Sequence, residues 1–126
     1  MVIDASALVA ILRSEVEQST FTRALSRAPV KRISPVNWHE TAIATEKTGD
    51  FGFLEAIMAR YGIVITPIDE KQARLAHQAW LKFGKGRHPA RLNLGDCFAY
   101  ALAKMTGEPL LFKGGDFART DITAAV

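Results

Sequence analysis

Cysteine is nearly absent from this chain: Cys97 is the single one among 126 residues. An intramolecular disulfide and a cysteine zinc cluster are therefore excluded, and the usage fits a reducing compartment. Histidine is almost as sparse. His39, His77 and His88 fall at no spacing that pairs them as ligands, which argues against zinc. Long apolar runs are also missing. Met1-Val2-Ile3 is cut at once by Asp4, with no basic leader, and the stretch from Ala5 to Leu12 is closed by Arg13. Neither approaches the ~20 apolar residues that span a bilayer, so we expect a cytoplasmic protein without a membrane partner. No Gly-x-x-x-x-Gly-Lys-Ser/Thr occurs, which removes the P-loop nucleotide enzymes. Low-complexity tracts and internal repeats are lacking too, and the length suits a single domain over residues 1–126.

What is present is a mild basic excess. Sixteen Lys and Arg against thirteen Asp and Glu leave a formal charge of +3. That balance permits a nucleic-acid partner without requiring one. Lys82, Lys85, Arg87, His88 and Arg91 crowd one Gly-containing stretch that holds no acid. Such a loop can contact phosphates, or it can be a solvated connection.

Four carboxylates stand in more demanding places. Asp4 ends the apolar run Met1-Val2-Ile3, and Glu40 lies between Val36 and Ile43-Ala44 on the inner face of an expected helix. Asp96 opens the apolar stretch from Leu94 to Met105, and Asp116 follows Leu110-Leu111-Phe112 and the Gly114-Gly115 turn. An unpaired buried carboxylate is costly, so a set of them on inward positions implies a metal or a shared proton. Carboxylate oxygens suit Mg²⁺ or Mn²⁺, and such ions activate water against phosphodiesters. Each acid also has a local explanation. Asp4 can cap the helix that follows it, Asp96 can be the acidic partner of an Asn93 cap, Glu40 can pair with Lys47, and Asp116 can be a turn residue. Ser6, two residues after Asp4, is a supporting hydroxyl or an N-cap serine. Asp121 is a fifth acid with a cap as its ordinary explanation.

Short β-branched and apolar runs at residues 2–3, 31–33, 63–66 and 110–112 alternate with helical patterns at 6–12, 15–28, 34–48, 51–61, 69–83 and 94–106. Ser34-Pro35 is a helix start, and Gly49, Gly62 and Gly107 are stops. Asp69 and Gln72 have capping-box spacing. Ile122 marks a possible last edge strand. Hairpin turn signals are lacking, so the expectation is an α/β chain: an α/β/α sandwich around a short central parallel sheet. Parallel strands bring their C-terminal ends to one edge, where Asp4, Glu40, Asp96 and Asp116 can then meet.

Three segments carry a resemblance. Val2-Ile3-Asp4-Ala5-Ser6-Ala7-Leu8, Asn93-Leu94-Gly95-Asp96-Cys97-Phe98-Ala99-Tyr100-Ala101 and Leu111-Phe112-Lys113-Gly114-Gly115-Asp116-Phe117 are similar to the motifs of PIN-domain ribonucleases, and within them to VapC-type toxins of prokaryotic toxin–antitoxin pairs. The resemblance implies a Mg²⁺- or Mn²⁺-dependent endoribonuclease acting on RNA, a cognate VapB-type antitoxin, toxin homodimers and higher assemblies. It matches Asp4, Glu40 and Asp96 to the family's acidic triad and Asp116 to its fourth acid, with Ser6 in the small hydroxyl position. Two positions depart from the pattern. Ala5 stands where Thr is common, and Gly114 stands where many members carry an aspartate, which leaves Asp116, helped by Asp121, as the fourth acid. The basic residues Lys85, Arg87, His88 and Arg91 are the expected RNA contacts. A non-catalytic RNA-binding or regulatory module using residues 82–91 is the rival reading. The apolar residues Phe21, Phe51, Phe53, Leu54, Ile57 and Met58 exceed what one small core is expected to bury, and suggest a docking surface for the antitoxin.

Overall fold

The computed structural model describes residues 1–126. Four strands, β1 (Val2–Ile3), β2 (Lys31–Ile33), β3 (Ile63–Ile65) and β4 (Leu110–Leu111), form one sheet in the order β3-β2-β1-β4. All three pairings are parallel. Six helices connect and flank them: α1 (Ala5–Leu12), α2 (Gln18–Arg27), α3 (Pro35–Thr48), α4 (Phe51–Tyr61), α5 (Glu70–Phe83) and α6 (Leu94–Thr106). The expected α/β/α arrangement is what the chain adopts. No helix is long and apolar enough to cross a membrane.

The period-2 geometry of a strand divides the core in two. Ile3, Ile33 and Leu111 pack with Leu8, Ile11, Phe21, Leu25, Leu54 and Met58 on one side of the sheet. Val2 and Leu110 face the other side, against Ala79, Phe83, Leu92, Tyr100 and Leu102 from the α5–α6 side. Burying each such aliphatic side chain contributes about 1.5–3 kcal/mol, so even two-residue strands are pinned. Helix α3 contacts both α1 and α6, and so reaches the sheet edge from which Asp4 projects.

Capping sets where the helices start. The Ser34 hydroxyl accepts from the Val36 amide with Pro35 behind it, and Gly49 closes α3 in the left-handed region at φ 77°, a conformation that favours glycine. Asn93 and Asp96 form a full capping box on α6. The Asp69–Gln72 box is only half made: the Asp69 carboxylate accepts from the Gln72 amide, but the Gln72 side chain is buried away from the cap without a partner. Other expectations shift. Helix α2 begins at Gln18, not Glu15, and Ile122 starts no strand; one parallel bridge joins Leu110 to Ala124 instead. Of the apolar residues expected to be in excess, Phe21, Leu54 and Met58 are buried and Phe51 and Ile57 pack on the core. Phe53 is the one left open, 66% exposed.

Candidate metal centre

Helix α1 starts directly from the end of β1, so Asp4 is both the last residue of the strand edge and the N-cap of α1. It is only 4% exposed. Its Oδ2 accepts from the Ser6 amide at 2.9 Å and the Ser6 hydroxyl at 2.5 Å. Its Oδ1 accepts from Asn37 Nδ2 at 3.0 Å. The Ser6 hydroxyl in turn accepts from the Lys113 amide just past β4. Asp4 is thus tied to the neighbouring strand end through Ser6, whose role is to hold Asp4 and not to cap α1 itself.

Glu40 sits one turn after Asn37 on the same face of α3 and accepts from Asn37 Nδ2 at 3.3 Å. Its carboxylate lies against Gly95, in the space that a Cβ at that position would fill. Asp96 follows Gly95 in the first turn of α6, where its Oδ2 accepts from the Asn93 amide at 2.9 Å. The cap engages one oxygen only. Capping and membership of the acidic group are therefore compatible, because Asp96 Oδ1 has no protein donor.

Burial raises the pKa of all three. Asp4 is pushed up by desolvation, partly offset by the Ser6 donors. Glu40 is raised by burial and then by the Asp4 charge, against the Asn37 amide. Asp96 rises to about 7, first through burial and then through the charges of Asp4, Asp116 and Glu40, against the Asn93 amide. Asp116 is exposed at the start of a 3-10 turn (Phe117–Arg119), with no side-chain cap bond. Its charge adds to the rise of the Asp96 pKa.

Cations are kept elsewhere. Glu108 takes the amino terminus and Arg32, and Lys113 is drawn to Glu15 and Glu17. No ion pair involves Asp4, Glu40, Asp96 or Asp116, and Lys47 does not reach Glu40. Asp121 stands apart from the group. Its Oδ1 accepts from the Tyr100 hydroxyl at 2.7 Å and its Oδ2 from Lys104 at 3.0 Å, and these bonds lower its pKa.

This donor set suits a hard divalent cation: carboxylate oxygens, partly desolvated, with no protein cation to balance them. No three acidic, histidine or cysteine side chains are disposed to ligate one ion directly. Mg²⁺ can be held by one or two carboxylates with its remaining positions taken by water.

The basic loop is folded back on itself. Gly84 and Leu92 pair across its base. Arg87 donates to the Leu81 carbonyl and lies 5.0 Å from the Trp80 ring centroid. His88 Nδ1 accepts from the Ala90 amide. Lys85 and Arg91 are exposed and no side-chain bond holds either.

Two site residues escape a search for charged groups. Asn37, three residues before Glu40, shares its helix face, which is the one sequence signal for it. Gly95 sits inside the motif around Asp96, yet its need for a missing side chain shows only against Glu40.

The PIN domain profile matches residues 1–122. The chain is 46% identical to a ribonuclease VapC of Mycolicibacterium smegmatis, over 98% of each protein. It is 43% identical to ribonuclease VapC42 of Mycobacterium tuberculosis, over 99% of this chain and 98% of that one. Among solved structures, the toxin VapC20 of M. tuberculosis superposes with a TM-score of 0.74 at 20% identity, covering 97% of this chain and 95% of that one. At that identity the likeness speaks for the fold alone. With a profile match over nearly its whole length and relatives above 40% identity end to end, the chain belongs to the PIN-domain family, among its VapC ribonucleases.

Proposed function

We propose that this chain is a Mg²⁺- or Mn²⁺-dependent endoribonuclease that hydrolyses RNA phosphodiester bonds as the toxin of a toxin–antitoxin pair. One observation supports the reading: the buried Asn37 amide joins Asp4, Glu40 and the Gly95 carbonyl beside Asp96, and no cation pairs with the three acids. These three would hold the ion, directly or through water, and Asp116 would add negative charge near them. When bound, the ion supplies charge that offsets the phosphate and makes an attacking water more acidic. The protein's part is positional. Ser6 and Asn37 fix both oxygens of Asp4, and Asp96 Oδ1 is the free acceptor for the water's proton. The expected result is cleavage of RNA by purified protein with Mn²⁺ or Mg²⁺, abolished by a chelator and restored by excess metal. Salt-dependent RNA binding with no metal-dependent cleavage would favour the rival, a binding module built on residues 82–91.

RNA reaches this site past the basic loop. Lys85 and Arg91 present free charges to phosphates, whereas Arg87 and His88 hold the loop in shape. Replacing Lys85 and Arg91 with Gln should flatten the plot of log affinity against log salt by about 0.7 per residue on single-stranded RNA. A chain altered at both positions with an unchanged slope would remove the loop from the interface.

For the antitoxin, the groove of Ile11, Leu12, Phe53, Ala56 and Ile57 offers an apolar seat edged by Arg60. The VapC relatives are named as ribonucleases, and a similar fold occurs in a Klebsiella pneumoniae toxin–antitoxin complex (TM-score 0.74, 19% identity, 95% of this chain and 92% of that one). A toxin homodimer, assembled further with antitoxin, is the corresponding form.

A further inference from the structure

Asn37 lies in α3 and is fully buried. Three acceptors surround its side-chain Nδ2 and share its two N–H groups: Asp4 Oδ1 at 3.0 Å, the Gly95 carbonyl at 3.1 Å and Glu40 Oε2 at 3.3 Å. Three acceptors around one end of an amide fix its orientation, because a flipped Asn37 would set its own oxygen against all three. The other end fares differently. Asn37 Oδ1 is buried and has no partner. A buried acceptor left unmade is destabilising, and an asparagine kept only to satisfy the core would find bonds for both ends. This one sacrifices its acceptor to aim its donors at two acids.

The arrangement also answers an electrostatic problem. Asp4 and Glu40 are like charges that both accept from the same Asn37 amide, at 3.0 and 3.3 Å. A neutral amide between the two carboxylates can hold both without supplying a net positive charge that would compete with a metal ion. Lys or Arg there would fill the place of the cation, and an apolar residue would leave the two carboxylates free to separate. The Gly95 carbonyl ties the same amide to the first turn of α6, next to Asp96.

We infer that Asn37 is a positioning residue that holds Asp4 and Glu40 at a fixed spacing for one divalent cation. The inference rests on the metal-dependent reading of the site. Asn37 does not touch the RNA; it acts through the two acids. Removing it should therefore weaken metal binding far more than it lowers turnover at saturating metal.

The experiment compares wild type with Asn37→Ala and Asn37→Leu, the second keeping the γ-branched shape of Asn without its polar atoms. Mn²⁺ affinity is measured by calorimetry, alongside RNA cleavage across a Mn²⁺ titration. Both variants should bind Mn²⁺ about 10–100-fold more weakly, and excess Mn²⁺ should recover most of the cleavage rate. A Leu variant that folds and binds Mn²⁺ like wild type would overturn the inference, because shape alone would then suffice. A measurement on wild type covers the case in which the variants do not fold. The ¹⁵N side-chain resonance of Asn37 should shift on titration with Mg²⁺, and an unmoved resonance under saturating Mg²⁺ counts against the inference. If wild type takes up no Mn²⁺ and cleaves no RNA, the metal-dependent function itself falls, and the inference with it. If wild type does both and the variants match it, only the role of Asn37 falls.

Discussion

Asp96→Asn should abolish RNA cleavage and at the same time make the metal-free protein more stable at neutral pH. The loss follows from removing a metal-facing carboxylate and the free oxygen that takes a proton, an effect of about 10²–10⁴-fold for the proton transfer alone. The gain follows from burial. Desolvation, joined by the charges of Asp4, Asp116 and Glu40, pushes the Asp96 pKa from 3.8 to about 7. The folded protein then holds a proton that the unfolded chain releases near pH 4. The stability linked to that proton is complete below pH 4 and is lost as pH rises through about 7. An amide carries no charge to bury, and its oxygen can still accept from the Asn93 amide, so the α6 cap survives.

The variant and the wild type should therefore be alike near pH 4 and diverge up to pH 7 or 8. With the partial exposure of Asp96 discounted, the difference is about 1–2 kcal/mol, or about 2–8 °C in Tm. Thermal melts at several pH values in the presence of a chelator measure it. A variant no more stable than wild type at pH 8 would show that Asp96 is not under this strain. Asp4→Asn should lose activity without the same gain. Both Asp4 oxygens receive donors, so an amide there must turn its NH₂ toward Asn37 or toward Ser6.

Gly95→Ala is the second large effect, and it removes no functional group. Alanine is favoured over glycine in a helix by about 1 kcal/mol, and Gly95 has no left-handed backbone to protect. Its new Cβ, however, would stand on the Glu40 carboxylate. The clash falls on the far end of a flexible side chain, so the fold survives and Glu40 moves. Displacing one catalytic group by about 1 Å can cost 10²-fold in rate. We expect cleavage to fall by about that factor, with a Tm equal to or above that of wild type. Near-normal turnover in a folded Gly95→Ala protein would mean that the position of Glu40 is not critical.

The two variants mark where sequence reading succeeds and where it stops. Asp4, Glu40 and Asp96 stand out in the sequence because a carboxylate amid apolar neighbours is expensive, and the fold brings the three to one sheet edge. Either-or choices between cap and site were not resolvable in sequence. In the folded chain Asp4 and Asp96 both cap a helix and both lie in the acidic group, and at Asp96 the cap engages only one of the two carboxylate oxygens. In sequence Asp121 is a supporting fifth acid beside Asp116. The Tyr100 hydroxyl and Lys104, reached across 21 and 17 residues, pair it away from the group. The four basic loop residues were alike as letters, but contacts with Leu81, Trp80 and Ala90 divide them into Lys85 and Arg91, which are free, and Arg87 and His88, which are held.

By itself the sequence determined the local architecture: strand-length apolar runs, helix starts at Ser34 and Asn93, stops at Gly49, Gly62 and Gly107, and a parallel sheet that gathers acids at one edge. Those signals act within a few residues, through backbone capping and side-chain period. The tertiary structure alone decided which groups share a hydrogen bond or a space. Asn37 meets Asp4 across 33 residues and Gly95 across 58, Lys113 meets Ser6 across 107, and Gly95 is glycine because Glu40 occupies its side-chain position. The physical reason is distance along the chain. Capping and periodicity are local, but the spacing of two carboxylates around one cation is set by packing between elements that no local pattern records.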